Sequence, residues 1–275
     1  MASVNYGAVV VPISLTCIIL TIAAYLYVKE LRNTLGKCVI SCLFSIFMWQ
    51  SLILAQMWSS APESVRVVSF IFSFAHSMWL SVISYHLSWP YKSVNGEEHS
   101  FLFRAYNVFV WVPTAVLLGS PALIYNLYGE SNIVFDFLAC AFLAFIISNF
   151  FNSTVLILTI NHILKLKRQT VKLRQRDGET TTCLNLDSEI HSYLYCRRIL
   201  FVIVLPWFTL IGYISTLIGF RHPVLYVVGF INASYGIWYF ILLILNRYTL
   251  RLLMDRFRGS PNKQFVGAQM VNNPA

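Results

Sequence analysis

Apolar residues occur in seven long stretches along the chain, separated by short polar gaps. Each stretch has the roughly 20 residues that a helix needs to cross a bilayer, and none alternates in polarity as a membrane β-strand does. The pattern therefore predicts an all-α membrane protein that folds as a seven-transmembrane helix bundle. The predicted spans cover residues 8–28, 38–58, 67–89, 105–128, 133–160, 199–220 and 223–246.

The composition agrees with this class. Of the 275 residues, 57% are hydrophobic and only 11% are charged, whereas soluble domains carry about 25% charged residues. The net charge of +9 does not indicate nucleic acid, because the cations adjoin apolar spans, where they meet anionic lipid headgroups. Membrane lipid is thus an expected partner, and nucleic acid is not.

The lysines and arginines are distributed unevenly between the gaps. Eighteen of the 20 lie in four gaps on one side of the predicted bundle, and only Arg66 and Arg221 lie in the others. Since positively charged loops stay in the cytoplasm, we expect an extracellular N-terminus and a cytoplasmic C-terminus. The chain then divides into a short extracellular segment (1–7), a transmembrane domain (8–246) with a long inner loop (161–198), and a C-terminal region (247–275).

The segment after the last span, RYTLRLLMDRFRG, predicts a short amphipathic helix that lies along the inner membrane surface. Gly259 and Pro261 are expected to end it. Its two faces separate cleanly on a helical projection, with Arg247, Arg251, Asp255 and Arg258 on one and Leu250, Leu253 and Phe257 on the other.

Enzyme signatures are absent from the sequence, which contains no HExxH, nucleophile elbow, P-loop or CxxC pair. We therefore expect neither catalysis nor a cofactor. His76 and His86 lack a third metal ligand at helical spacing, so His76 is predicted to be a hydrogen-bonded residue of the bundle. Asp136 is the one acidic residue inside a span. It is either a functional group or simply reaches water near the end of the span.

Several residues favour a bundle with movable parts. Pro206 in the sixth span, and Pro113 and Pro121 in the fourth, remove backbone hydrogen bonds and permit kinks. Small residues allow helices to approach closely, and buried amides need partners on other helices. The glycines of this kind are Gly212, Gly219, Gly229 and Gly236, and the amides are Asn149, Asn152, Asn232 and Asn246.

Five segments resemble those of the Methuselah-like receptors of insects, a group within the secretin/adhesion-like seven-span receptors. They occur in the expected order, and the resemblance covers nearly all of residues 8–258. The segments are LRNTLGK (31–37), MWLSVISYHLSWPY (78–91), NFFNSTVLILTINHI (149–163), LNLDSEIHSYLYCRRILFVIVLPWF (184–208) and NASYGIWYFILLILNRYTLRLL (232–253).

The resemblance implies a G-protein-coupled receptor of the plasma membrane. In that family, outward movement of the sixth span opens a cavity for a heterotrimeric G protein, and an extracellular ligand, here unknown, controls it. Receptor dimers are a further expectation. The implied G-protein-facing residues are Arg32, Lys37, Tyr85, His86, Arg197, Arg198, Asn246 and Arg247. The implied switch residues are Pro206, Trp207, Gly212, Asn232 and Tyr235, and the ligand cavity is expected to use His76 and Asp136.

Two alternatives stay open. About seven residues precede the first span, whereas the family usually has a sizeable extracellular domain there, and the family's loop cysteines are missing. This favours a truncated or diverged paralogue that modulates a full-length receptor without signalling. A small-solute transporter or channel would instead need a continuous polar path with charged residues in mid-span, which the sequence mostly lacks.

Overall fold

The computed structural model describes residues 3–58, 63–88, 101–116, 142–155, 204–212, 222–245 and 247–258, together with residues 139, 157, 158, 161, 202, 214, 215 and 219. This part of the chain is helical and contains no strand. The helices are α1 (Ser3–Tyr27), α2 (Thr34–Trp58), α3 (Glu63–Ser88), α4 (Phe101–Val116), α5 (Phe142–Val155), α6 (204–212), α7 (Val224–Ala233), α8 (Tyr235–Leu243) and α9 (Arg247–Phe257).

Three of these helices are long and apolar enough to cross a membrane. Their spanning windows are Gly7–Tyr27, Thr34–Trp58 and Val68–His86, with mean hydropathies of 2.4, 2.0 and 1.3. The consecutive helices α7 and α8 form a fourth candidate that is bent by 56°. The chain is therefore a helical, multi-pass membrane protein. The count of seven spans and the orientation of the termini stay predictions.

The turn between α1 and α2 is built by local hydrogen bonds. A single 3₁₀ turn covers Lys29–Leu31. The Asn33 side-chain oxygen then accepts a hydrogen bond of 2.8 Å from the backbone N–H of Gly36, which caps the start of α2. A Cβ atom on Gly36 would overlap the Leu31 carbonyl group. The sequence LRNTLGK thus needs both its asparagine and its glycine to make this turn.

The main core lies where α1, α2, α3 and α8 meet. Its largest fully buried side chains include Trp79, Tyr25 and Tyr235. A smaller cluster joins α3, α5 and α6 through Phe74, Phe145 and Leu210. Polar side chains lie inside both regions, because helices in a membrane associate through close packing and hydrogen bonds rather than through apolar burial alone.

Helix α9 packs against the end of α1. The rings of Tyr27 and Phe257 stack with their centroids 5.3 Å apart, and Leu253 contacts the core cluster. Leu250 and Met254 are exposed, as is most of Phe257. The predicted apolar face is therefore divided between the bundle, which Leu253 contacts, and an outward surface that suits the membrane interface.

Candidate functional site

The junction of α7 and α8 is held by two side chains from other helices. Nε2 of Gln50 donates to the carbonyl oxygens of Asn232 and Ala233, at 3.1 and 3.2 Å. The Gly236 backbone N–H donates to Oγ of Ser14 at 2.7 Å, and Ser14 in turn donates to Oε1 of Gln50 at 2.8 Å. In an unbroken helix the Gly236 N–H would instead bond to the Asn232 carbonyl, and the Ala233 carbonyl would accept from the Ile237 N–H.

The backbone hydrogen bonds change their pattern at the bend. The N–H of Ile237 bonds to the Ser234 carbonyl at 3.0 Å, one residue short of the α-helical pattern. No proline lies between Asn232 and Gly236. Backbone groups freed inside a membrane must find other partners, and here Ser14 and Gln50 supply them. We call Ser14, Gln50 and the backbone groups that they bind the bend cap.

His76 lies in the centre of the bundle and connects α3 to α8. Its Nε2 atom lies 2.8 Å from the hydroxyl oxygen of Tyr239, and that oxygen lies 3.6 Å from Sγ of Cys42 on α2. The imidazole is almost fully buried. The prediction of a hydrogen-bonded bundle residue is thus confirmed. A ligand-cavity role for His76 stays a prediction, and Asp136 lies outside the described residues.

Two of the predicted switch residues, Asn232 and Tyr235, form a polar contact with Thr209 between α6 and the α7–α8 bend. Oγ1 of Thr209 lies 2.6 Å from the Tyr235 hydroxyl and 3.2 Å from Oδ1 of Asn232. Tyr235 also donates to the Leu205 carbonyl. The Tyr235 hydroxyl hydrogen is used in the bond to Leu205. The Thr209 hydroxyl has one hydrogen, so Thr209 donates either to Tyr235 or to Asn232. Gly212 lies one turn further along α6, where a Cβ atom would be 3.4 Å from Nδ2 of Asn232.

The remaining switch residues are Pro206 and Trp207, and Trp207 connects α6 to α5. The indole N–H of Trp207 donates to Oγ of Ser153 at 2.9 Å. The indole ring also meets the Phe150 ring edge to face, with centroids 5.0 Å apart. Pro206 is buried beside it. Helix α6 is thus attached on one side through Trp207 and on the other through Thr209.

Helices α3 and α5 are joined by a cluster of hydroxyl and amide groups. Oγ of Ser148 lies 3.0 Å from that of Ser77 and 3.2 Å from that of Ser81, and Asn152 donates to the Ser77 carbonyl. The expectation of interhelical partners is confirmed for Asn152 and for Asn232. It is wrong for the Asn149 amide, which donates to Phe145 of its own helix. Asn246 lies outside the described residues.

The predicted G-protein-facing residues that the structure describes lie at one end of the bundle. Arg32 and Lys37 flank the start of α2, Tyr85 and His86 lie in the last turn of α3, and Arg247 begins α9. Two of them contact α4. Nζ of Lys37 lies 5.7 Å from the centroid of the Phe103 ring, and Nδ1 of His86 lies 3.2 Å from the Tyr106 hydroxyl. Arg197 and Arg198 lie outside the described residues.

A pocket of about 200 Å³ opens between α1, α2 and α7. Asn232 is in its wall, whereas His76 does not line it. Among the described residues, no group of three or more histidines, cysteines and acidic residues is placed to hold a metal ion. The residues that line the pocket are Gly7, Val11, Gln50, Ile53, Met57, Gly229, Asn232 and Ala233.

The sequence did not predict the roles of four residues at the bend and beside His76: Ser14, Gln50, Thr209 and Tyr239. Nor did it predict the interhelical contacts of Ser77, Ser81, Ser148 and Ser153. Gln50 carried the clearest signal, because an amide in the middle of an apolar span costs free energy unless it finds a partner. Ser14 and Thr209 gave little signal, since hydroxyl groups in membrane helices can bond to their own backbone.

Comparison with known proteins gives consistent relatives. The chain is 31% identical over 271 residues to "Probable G-protein coupled receptor Mth-like 12" of Drosophila melanogaster. This alignment covers 89% of the chain and 54% of the relative. It is also 33% identical over 279 residues to "G-protein coupled receptor Mth" of Drosophila yakuba. That alignment covers 91% of the chain and 52% of the relative. Over about nine-tenths of its own length, the chain is similar to Methuselah-like G-protein-coupled receptors.

The match to the Methuselah-like receptors is restricted to part of their length. A further relative, "G-protein coupled receptor Mth" of Drosophila melanogaster, is 32% identical over 280 residues. The chain spans about half the length of the curated relatives that it matches. No family model matches the chain. The similarity to these curated relatives confirms the resemblance that the sequence indicated.

Proposed function

We propose that this chain is a G-protein-coupled receptor of the Methuselah-like type, which transduces an extracellular signal through movement of its sixth span to a heterotrimeric G protein. The observation that supports it best is the attachment of α6. Its described part has a polar contact to α5, between Trp207 and Ser153. On its other side, Tyr235 and Asn232 bond to Thr209 and to backbone carbonyl groups of α6. Pro206 directly precedes Trp207 in α6.

The strength of these contacts is suitable for a switch. Hydrogen bonds between helices in a membrane contribute about 0.6 kcal/mol each on average, with values up to about 1.7 kcal/mol. Releasing α6 from Tyr235 and Asn232 then costs a few kcal/mol at most. A ligand can shift such an equilibrium when its affinities for the two states differ by a similar amount.

The same proposal gives each end of the bundle a role. The end that carries Arg32 and Lys37 would face the cytoplasm of a plasma-membrane receptor, and both side chains are exposed there. They could contact a G protein together with Tyr85 and His86. Helix α9 would lie on the inner membrane surface with its arginines near lipid headgroups. The short segment 1–7 would be extracellular.

A second-messenger assay in cells tests this function. We expect the unmodified chain to give a basal or ligand-driven signal with at least one class of G protein. Replacing Arg197 and Arg198 by alanine, or Arg32 and Lys37 by alanine, should lower that signal at equal surface expression. Arg66→Ala is the matched control, because this arginine is predicted to lie on the opposite side of the membrane.

The outcome also separates the alternatives. Absence of any signal from the unmodified chain, across several G-protein classes, would contradict the proposal. A changed signal from a co-expressed full-length relative would then favour the modulating paralogue. Solute flux into proteoliposomes would favour a transporter.

A further inference from the structure

We propose that the pocket between α1, α2 and α7 binds one acyl chain of a bilayer phospholipid. The pocket has a volume of about 200 Å³ and lies beside the α7–α8 bend, with Gln50, Asn232 and Ala233 in its wall. This inference concerns binding, so it holds whether or not the chain signals.

The chemistry of the lining favours an apolar occupant. Among the described residues, eight line the pocket, and none of them has a charged side chain. The two amide side chains already have partners: Gln50 bonds to Ser14 and to the α7 carbonyl groups, and Asn232 bonds to Thr209 and Phe208. A polar ligand would lose its bonds to water without gaining replacements. A hydrocarbon segment loses nothing on entering.

The size of the pocket favours a narrow chain over a compact molecule. Pockets for drug-sized ligands have volumes of about 300–1,000 Å³, which exceeds the volume here. One wall can adapt to its contents, because Met57 has an unbranched, flexible side chain. A Cβ atom on Gly7 would lie 2.7 Å from Cε of Met57, so the glycine leaves room for this methionine tip.

The surroundings of the pocket indicate the bilayer as the source of the occupant. Val9 and Ile13 are exposed on α1, and Val227 and Phe230 are exposed on α7. In a membrane bundle, exposed apolar side chains of this kind face hydrocarbon. The acyl region of the bilayer is therefore next to α1 and α7, two of the three helices that line the pocket, and Met57 on the third is itself exposed. Phospholipid supplies its chains there at high concentration.

Photolabelling of the full chain tests the assignment. The protein is reconstituted in nanodiscs with a phosphatidylcholine that carries a diazirine in one acyl chain, and adducts are mapped by mass spectrometry. We expect adducts on Ile53 and Met57. Ile53→Trp should reduce the adducts on Met57 roughly tenfold, the loss expected when about two methylene groups are no longer buried. Ile13→Trp, the same change on an outward face, should leave them unchanged.

A second variant guards against misfolding of the first. Met57→Ala removes a partly exposed side chain and widens the pocket, so the adduct yield on Ile53 should rise. An unchanged yield in both Ile53→Trp and Met57→Ala would overturn the proposal, as would adducts confined to outward residues such as Ile13. Labelling by a diazirine fatty acid but not by the phospholipid would overturn the assignment to a phospholipid chain.

Discussion

Ser14 donates a hydrogen bond of 2.8 Å to Oε1 of Gln50. This pair of buried side chains joins α1 to α2 beside the bend between α7 and α8. Each partner also binds backbone groups at the bend. The bend is thus stabilised from outside, by a serine and a glutamine that lie 36 positions apart in the sequence.

Replacing Gln50 by leucine should destabilise the protein. The change leaves the carbonyl groups of Asn232 and Ala233 and the hydroxyl group of Ser14 without their present partner, at a cost of about 1–3 kcal/mol. Thermal unfolding of the purified protein in detergent measures the effect. Gln56→Leu is the control, because Gln56 makes one longer bond of 3.4 Å near the end of α2. Equal shifts in the two variants would contradict a special role for the bend cap.

Gly236→Ala should be more damaging than Gly212→Ala. A Cβ atom on Gly236 would overlap the Ser14 carbonyl oxygen and the Ile18 side chain, whereas one on Gly212 would have an ordinary contact with Nδ2 of Asn232. Overpacking of this kind costs about 1–3 kcal/mol or more. We expect a strongly reduced folded yield for the first variant and a nearly unchanged one for the second. Similar thermal stability in both would show that α1 and α8 can separate freely.

The close approach at Gly236 was among the features that the sequence indicated, but not every glycine singled out with it has that role. Four glycines were expected to allow helices to approach, and Gly236 does so against Ser14. Gly219 instead adopts a backbone φ of +66°. Spacing along a helix cannot separate these roles, because a close approach depends on which neighbour faces the glycine.

The apolar stretches predicted the long helices well, since burial in lipid depends mainly on hydropathy and length. Helix α2 begins four residues before its predicted span, at Thr34, because Asn33 caps it. The bend at Ser234 could not be predicted, because it depends on Ser14 and Gln50. Pro206 and Trp207 were recognised as a pair, but the partner of Trp207, Ser153, is a contact between distant segments.

Tyr235→Phe should raise basal signalling, if the proposed function holds. The tyrosine hydroxyl connects the α7–α8 region to Thr209 and to the Leu205 carbonyl on α6, and its loss should favour the released state of α6 by roughly three- to tenfold. Tyr239→Phe is the control, since Tyr239 contacts His76 and Cys42 rather than α6. A second-messenger assay at matched surface expression measures both. Equal basal signals would argue against a restraint at Tyr235.

Phe257→Ala should loosen α9 from the bundle. The Phe257 ring stacks on Tyr27, and such pairs contribute about 0.5–1.5 kcal/mol. Hydrogen exchange of the α9 amides should therefore become roughly two- to tenfold faster. Met254→Ala is the matched control, because Met254 is exposed on the same helix. If both variants accelerate exchange equally, then contact with the membrane rather than with Tyr27 holds the helix in place.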